Sequence, residues 1–350
     1  GADDGDIVSA ARACPLASRR THMQSCYHSA VGAKVERDVR LAELNAVAGT
    51  LDVSGIGLND EAAEAIAFVL QRAGARAGDQ RRHTSLIASR NRISPAGARA
   101  LLDAASELQT LDLGRNCLGS RSAVLAGGGS GPALSRLLQR SVTLTHLDLS
   151  SNGLSDGDGH DLCEALKTNV VLRTLILRNN NFGRATGYDL AAAISYNREL
   201  KHLDVSYNRF DAVGTHALLE ELGETSTFEF LDLSWTGVTD ASAEHVARLI
   251  SGGSSLRTLR LGHNALADRG GAIIGKSLPG SRSLVRLDLS HNPLGDGGLG
   301  ALLREVASNT SIELLDVQHV RASDTMSAEV AQTMAARAER VPRQNILFLA

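Results

Sequence analysis

The chain has 350 residues and carries 36 Lys+Arg against 39 Asp+Glu, a formal net charge of −3. This balance argues against a protein that coats nucleic acid through bulk positive charge. Hydrophobic residues make up 43% of the chain, and no stretch approaches the roughly 20 apolar residues of a membrane-spanning helix. Aromatic residues are only 3%. The composition therefore predicts a large aliphatic core and no binding to nucleic acid or membrane.

The N-terminal residues lie outside the pattern that organises the rest of the chain. Residues 1–28 are predicted to be poorly ordered. Residues 29–49 contain valines at helical spacing, Val31, Val35 and Val39, which predict an amphipathic N-terminal helical cap.

The cysteines and the first residues indicate a compartment. No basic segment leads into an apolar stretch, as it would in a secretory signal. The four cysteines form neither a C-x-x-C motif nor a dense disulfide framework, and they stand at Cys14, Cys26, Cys117 and Cys163. We therefore expect an intracellular protein, in a reducing compartment such as the cytoplasm.

From Leu147 onward a motif recurs every 28 residues, and such self-similarity decides the fold. The first copy reads Leu-Asp-Leu-Ser-Ser-Asn-Gly-Leu, and later copies begin at Leu175, Leu203, Leu231, Leu259, Leu287 and Leu315. Less evenly spaced copies begin at Leu51, Leu86, Leu111 and Leu347. The template is L-x-L-x-x-N-x-L followed by a helical half. Stacked copies would bury one continuous core, which no single copy can do alone.

Each position of the template has a physical reason. The two leucines of L-x-L point to the same side of a short strand, and the residue between them points to the other side. The Asn stands where the chain leaves the strand, so its amide can satisfy backbone groups of the turn. The helical half adds two apolar columns spaced four residues apart. The pattern predicts strands on one side of the core and helices on the other.

This unit resembles the leucine-rich repeat family, and its 28-residue length with a full helix is similar to the ribonuclease-inhibitor-like subclass. The resemblance covers about residues 50–350. It implies an α/β solenoid, a horseshoe of about ten to eleven repeats, with a parallel sheet on the concave side and helices on the convex side.

No catalytic chemistry is expected. Residues 270–277 satisfy the phosphate-binding pattern G-x-x-x-x-G-K-S, but Ile274 and Leu278 fall in the core columns of a repeat helix, so we expect no nucleotide site there. No H-E-x-x-H, G-x-S-x-G or paired Cys/His framework occurs. We predict no catalytic residue, no cofactor site and no resident metal.

The candidate binding residues lie on the concave side. The position inside L-x-L is mostly acidic and includes Asp204, Asp232, Asp288 and Asp316, with Arg260 as an exception. The next column, at the lip of the strands, holds five consecutive aromatic or imidazole residues: Tyr207, Trp235, His263, His291 and His319. We interpret this stripe as the contact surface for a protein partner, in which the acids would favour a basic segment.

Three other interpretations of these columns remain open. The acids are frequent in this subclass and can form a solvated stripe. The rings can be incidental surface. His263, His291 and His319 can capture a metal ion, because neighbouring strands are roughly 5 Å apart.

The function expected from the resemblance is a non-enzymatic protein-interaction scaffold. The subclass has partners that range from a secreted nuclease to subunits of ciliary and cytoskeletal assemblies, so membership of a large intracellular complex is one expectation. The alternative is a GTPase-activating protein similar to the one that acts on Ran. Its candidate residues here are Arg90, Asn91 and Arg115.

Overall fold

The computed structural model describes residues 49–75, 83–119, 129–224, 227–252 and 255–340. These residues belong to one compact unit, Ala48–Ala350. The N-terminal segment predicted at 1–28, all but the last residue of the cap predicted at 29–49, and the strand predicted around Leu347 lie outside the described residues. For these segments the sequence-based interpretation stays a prediction.

The strands form one parallel sheet in chain order, β1 to β10. Each strand has three residues, and the central residue is the first leucine of the L-x-L motif. Neighbouring strands pair in register, so that Leu203 stands opposite Leu231 and Leu231 opposite Leu259. The strands are β1 Thr50–Asp52, β2 Ser85–Ile87, β3 Thr110–Asp112, β4 His146–Asp148, β5 Thr174–Ile176, β6 His202–Asp204, β7 Phe230–Asp232, β8 Thr258–Arg260, β9 Arg286–Asp288 and β10 Leu314–Asp316.

A helix follows every described strand, and all but the last of these helices return the chain to the next strand. In the described residues these helices are α1 Asp60–Ala75, α2 Pro95–Ala104, α3 Gly131–Arg140, α4 Asp156–Leu166, α5 Arg184–Tyr196, α6 Asp211–Gly223, α7 Ala243–Ser251, α8 Asp268–Ser277, α9 Asp296–Val306 and α10 Asp324–Arg340. Shorter 3-10 turns lie at Ala105–Glu107, Asp240–Ser242 and Leu278–Gly280.

The core lies between the sheet and the helices, as the leucine columns predict. The first helical column is fully buried and comprises Leu162, Leu190, Leu218, Val246, Ile274 and Leu302. Phe182, Phe210 and Phe228 occupy leucine columns and are also buried. Where α5 passes α6 the backbones touch, since a Cβ on Gly187 would lie 2.8 Å from the carbonyl oxygen of Gly214. The predicted α/β repeat solenoid is confirmed.

An asparagine ladder fastens each repeat to the next. Its members are buried or half-buried, and they are Asn91, Asn116, Asn152, Asn180, Asn208, Asn264 and Asn292. In a typical rung, the Nδ2 of Asn152 donates to the carbonyls of Leu149 at 3.0 Å and Leu113 at 2.9 Å. Its Oδ1 accepts the backbone N–H of Asn116 at 3.2 Å. One side chain thus satisfies buried backbone groups in two repeats.

A second row of carboxylates joins the helix starts, and the sequence pattern did not indicate it. The Oδ1 of Asp268, in α8, accepts the backbone N–H of Gly295 at 2.7 Å and of Gly298 at 2.9 Å, at the start of α9. Asp296 repeats the contact with Ser323, 2.7 Å away, and these bonds lower the pKa of Asp296. A negative charge here also complements the positive end of the next helix dipole.

Candidate functional site

A turn of left-handed backbone follows the strands and aims one side chain per repeat at the lip of the sheet. The φ angles at this position lie between 54° and 59°, at Arg90, Arg115, Ser151, Asn179, Tyr207, Trp235, His263, His291 and His319. This conformation is strained for most residues that carry a Cβ, and glycine adopts it without a steric penalty. Tyr207 and Trp235 therefore stand at positions that glycine would occupy more easily.

The five rings predicted as the contact surface form one continuous stack, called here the ring stack. Tyr207 and Trp235 have centroids 5.6 Å apart, and Trp235 and His263 are 4.5 Å apart. His263 and His291 are 3.8 Å apart, and His291 and His319 are 4.2 Å apart. These distances bracket the spacing of about 4.8 Å between neighbouring strands. The stack is therefore a direct product of the in-register sheet and the repeated turn.

Stacking leaves the ring edges, rather than the faces, open to solvent. Trp235 lies between Tyr207 and His263, yet 47% of its surface is exposed, and Tyr207 is 39% exposed. The guanidinium of Arg178 covers the outer face of Tyr207, 4.3 Å from the ring centroid. The part of each stacked ring that reaches solvent is therefore its edge.

The acidic residues at the position inside L-x-L have a structural role that was not predicted from the sequence. Each carboxylate accepts the backbone N–H two residues later, where the chain leaves the strand. The distances are 2.9 Å from Ser206 to Asp204, 3.0 Å from Ser234 to Asp232, 2.9 Å from Ser290 to Asp288 and 3.0 Å from Gln318 to Asp316. The acids thus stabilise the turn that presents the ring stack, and these bonds do not depend on a partner.

Asp232 was predicted to be one of the binding residues of the concave side, but it is buried. Only 2% of its side chain is accessible, because Arg260 stands opposite it in the next strand and places Nη1 3.4 Å from Oδ2. Asp204 is half-buried, and its burial together with the charge of Asp232 raises its pKa.

A groove of about 430 Å³ runs across β5 to β10 beneath the ring stack. Three arginines line it: Arg178, Arg260 and Arg286. Arg260 was among the predicted site residues, whereas Arg178 and Arg286 were missed. The two-residue period of a strand could have found Arg286, since the residue before the central leucine faces the same side as the residue after it.

The stacked imidazoles do not form a metal site. Zinc is held by ligand nitrogens about 2.0–2.1 Å away that converge on one point, whereas the rings of His263 and His291 lie nearly parallel, at 11°. Within the described residues no group of three or more His, Cys, Asp or Glu side chains is arranged to hold a metal ion. Partial burial and the neighbouring His291 lower the pKa of His263.

The other candidate residues divide between surface and core. Arg90 and Arg115 are exposed at the lip. Asn91 belongs to the asparagine ladder: its Oδ1 accepts the N–H groups of Gly57 and Leu58, both at 2.9 Å. It is only 8% exposed, so the proposal that it acts on a partner's nucleotide is wrong.

Residues 270–277, which match the phosphate-binding pattern, lie inside α8. Ile274 is fully buried there. The segment is a packed repeat helix and forms no loop around a phosphate. In the described part of the chain, no helix has both the length and the apolarity needed to cross a bilayer.

Comparison with known families agrees with the repeat geometry. A family described as "Leucine Rich repeat" matches residues 140–163, 196–219, 254–274 and 280–303. Each matched segment contains or adjoins one strand and its helix. The fold is an α/β leucine-rich repeat solenoid. No curated protein sequence matches it.

Several solved structures are similar to this chain. An internalin (inlF) from Listeria monocytogenes has 15% identity over 90% of this chain and 94% of its own, with a TM-score of 0.46. The tropomodulin C-terminal domain from Caenorhabditis elegans has 19% identity over 43% of this chain and 93% of its own, with a TM-score of 0.36. A chain in the octameric complex of Latrophilin 3, Unc5D and FLRT2 has 15% identity over 86% of this chain and 83% of its own, with a TM-score of 0.45.

Proposed function

We propose that this leucine-rich repeat protein is a non-enzymatic scaffold that binds a protein partner on the sheet face of β5 to β10. The observation that carries the proposal is the ring stack, of which Tyr207, His263 and His291 line the groove. Tyr and Trp are the side chains that most often dominate protein interfaces. The five rings stand at the lip of the sheet and are not needed to fill the core, whose side chains are mostly aliphatic.

The form of the stack favours a protein over a nucleic acid as the partner. Single-stranded nucleic acids bind by stacking their bases on exposed aromatic faces. Here the faces of Trp235, His263 and His291 are covered by neighbouring rings. The net charge of −3 gives no general attraction for phosphates. An open groove lined by the edges of aromatic and imidazole rings suits the side chains and the backbone of another protein.

The proposed setting is a larger intracellular assembly. Cys117 and Cys163 are both free thiols, which supports a reducing compartment. A cytoskeletal or ciliary assembly rests on the resemblance to the ribonuclease-inhibitor-like subclass alone. No observed contact of Arg90 or Arg115 favours the GTPase-activating alternative, and the side chain of Asn91 belongs to the asparagine ladder.

A capture experiment with matched variants tests the sheet face. The immobilised chain is incubated with an extract of the source cells, and the bound proteins are identified by mass spectrometry. Tyr207→Ala/Trp235→Ala should reduce capture of the specific partner at least about tenfold, as expected for aromatic side chains that a partner buries at the interface. The control Tyr188→Ala/Tyr196→Ala removes two tyrosines from α5 that are 50% and 70% exposed, and it should retain capture.

The urea midpoint of both variants is measured first and should be close to that of the wild type. A loss of capture then cannot be due to a loss of the fold. Capture that survives in the sheet-face variant but fails in the α5 variant would move the binding site to the helices. Capture that survives in both would leave the ring stack without a role in binding.

A further inference from the structure

The charged groups of the groove are arranged in two layers. The guanidinium of Arg260 is 45% exposed, whereas its partner Asp232 is 2% exposed. Arg286, which precedes the central leucine of β9, is also exposed. Asp288 and Asp316 are half-buried near the base of the groove. At Arg260 and Arg286 a molecule that enters the groove therefore meets a guanidinium before it meets a carboxylate, whereas Arg178 is half-buried.

The carboxylates of the lower layer already have partners. Asp288 accepts both the backbone N–H of Ser290, at 2.9 Å, and the Ser290 hydroxyl, at 2.7 Å. Asp316 accepts the N–H of Gln318 at 3.0 Å. The carboxylates keep their negative charge, but the lone pairs that accept these N–H and O–H groups are not free for the donors of a partner, unlike those of an uncommitted acidic stripe. The observation that favoured a basic partner segment is weakened accordingly.

The upper layer, in contrast, offers donors. Arg286 makes no ion pair with another described residue, and Arg178 lies over the Tyr207 ring with Nη1 3.5 Å from the Ser206 hydroxyl. A guanidinium has five N–H donors and binds carboxylates in a bidentate manner. The imidazole edges of His263 and His291 line the same groove and can add N–H donors.

The spacing of the arginines suits an extended peptide. Arg260 and Arg286 lie on neighbouring strands, β8 and β9, while Arg178 follows β5. Strands spaced by about 4.8 Å put Arg178 roughly 14 Å from Arg260 along the groove. An extended segment covers that distance in about four residues.

We propose that the groove receives an extended acidic segment of the protein partner, whose carboxylates bind Arg178, Arg260 and Arg286 while its neighbouring residues contact the edges of the ring stack. This inference rests on the proposed function and names the chemistry of the partner. It replaces the basic segment expected from the sequence with a segment of opposite charge.

Fluorescence anisotropy with labelled peptides tests the charge of the occupant. Three short peptides of equal length are compared, one rich in Glu, one rich in Lys and one rich in Gln. The Glu-rich peptide should bind the wild-type chain, more weakly as salt rises, and the other two should bind at least about tenfold less tightly. Preference for the Lys-rich peptide, or no binding of the Glu-rich peptide at millimolar concentration, would overturn the inference.

The main variant is Arg286→Gln, because Arg260→Gln would leave the buried Asp232 without its guanidinium. Arg286→Gln should weaken binding of the Glu-rich peptide about tenfold. The matched control is Arg304→Gln, which removes the same charge from an exposed position on α9 and should leave binding unchanged. Equal losses in the two variants would mean attraction to overall charge and would contradict a site in the groove.

The two proposals fail in different ways. If capture of the natural partner depends on Tyr207 and Trp235 while the Glu-rich peptide does not bind, the acidic occupant is wrong and the scaffold function stands. If capture does not depend on those residues, the proposed function itself is wrong. Arg286→Gln is included in the same capture experiment. If the partner binds through an acidic segment, this variant should recover less of the partner than the wild type.

Discussion

His263 and His291 stand ring against ring, with centroids 3.8 Å apart and planes inclined by 11°. His319 extends the stack at 4.2 Å from His291. A charged imidazole at this distance from a second one repels it, so His291 disfavours protonation of His263. The ring stack therefore couples the geometry of the proposed binding surface to pH.

We expect protonation of His263 to remove part of the chain's stability as pH falls through about 6.5. Partial burial and His291 lower the pKa of His263 below its ordinary 6.5, while Asp288 opposes the shift and His319 adds to it. The unfolded chain therefore binds this proton at a higher pH than the folded chain does. The stabilising contribution is complete above pH 6.5 and is lost as pH falls below it toward the folded-state pKa. Urea midpoints across this range measure the effect.

The contribution of the stack is isolated by His263→Asn. Asn tolerates the left-handed φ of 55° at this position and carries no titrating group, so the variant should lose less stability on acidification than the wild type. His160→Asn serves as the control, since His160 lies on α4 and bonds Asp189 at 3.1 Å. A wild-type pH dependence in His263→Asn would show that the stack does not resist protonation.

The backbone at Trp235 predicts an unusual order of stability between two truncations. Its φ of 58° lies in the left-handed region, where Gly has no steric penalty and Ala does. Trp235→Gly should therefore be more stable than Trp235→Ala by about 1 kcal/mol, although Gly is more costly elsewhere. Both variants lose the contacts with Tyr207 and His263 equally. Urea unfolding that shows Ala equal to or above Gly would contradict the strained turn.

The sequence predicted the fold because a 28-residue period leaves few ways to bury its leucines. Leu147 and its successors fix which side of each strand is core, and the helical columns at Leu162 and Leu166 fix the second layer. The period also set Tyr207, Trp235 and the three histidines in one column, since equal repeats place equal positions on neighbouring strands. Their mutual stacking then follows from the strand spacing.

The hydrogen-bond partners of the polar side chains could not be predicted from the sequence. An Asp inside L-x-L looks exposed in a pattern, and only three-dimensional geometry shows that Asp232 accepts a backbone N–H and lies beneath Arg260. The same holds for Asn91, whose bonds to Gly57 and Leu58 remove it from the surface. Hydrogen bonds between residues some 30 positions apart depend on register and turn conformation, which letter patterns do not encode.

The asparagine ladder predicts that replacing Asn208 lowers the unfolding free energy strongly. Its Oδ1 accepts the N–H of Asn180 at 3.2 Å and of Phe182 at 3.3 Å, and its Nδ2 donates to the carbonyls of Leu177 and Val205. Asn208→Ala leaves these buried groups unpaired and should cost about 3 kcal/mol of unfolding free energy.

The control for that variant is Asn181→Ala, at an exposed position whose side chain makes one long bond of 3.4 Å to the carbonyl of Gly153. It should change stability by less than about 0.5 kcal/mol. Similar losses in Asn208→Ala and Asn181→Ala would mean that the ladder contributes little to stability.

Thr236 interrupts the asparagine ladder and predicts a stabilising change. Its hydroxyl donates to the carbonyl of Leu233 at 2.6 Å, but it has no amide carbonyl with which to accept N–H groups of the preceding repeat, as Asn264 does for Gly237 and Val238. Thr236→Asn should therefore raise the unfolding free energy by about 1 kcal/mol. Thr236→Val, which removes the hydroxyl at nearly constant volume, should lower it by about 1 kcal/mol. Urea denaturation measures both, and an Asn variant less stable than the wild type would show that the turn at this repeat has no room for the amide.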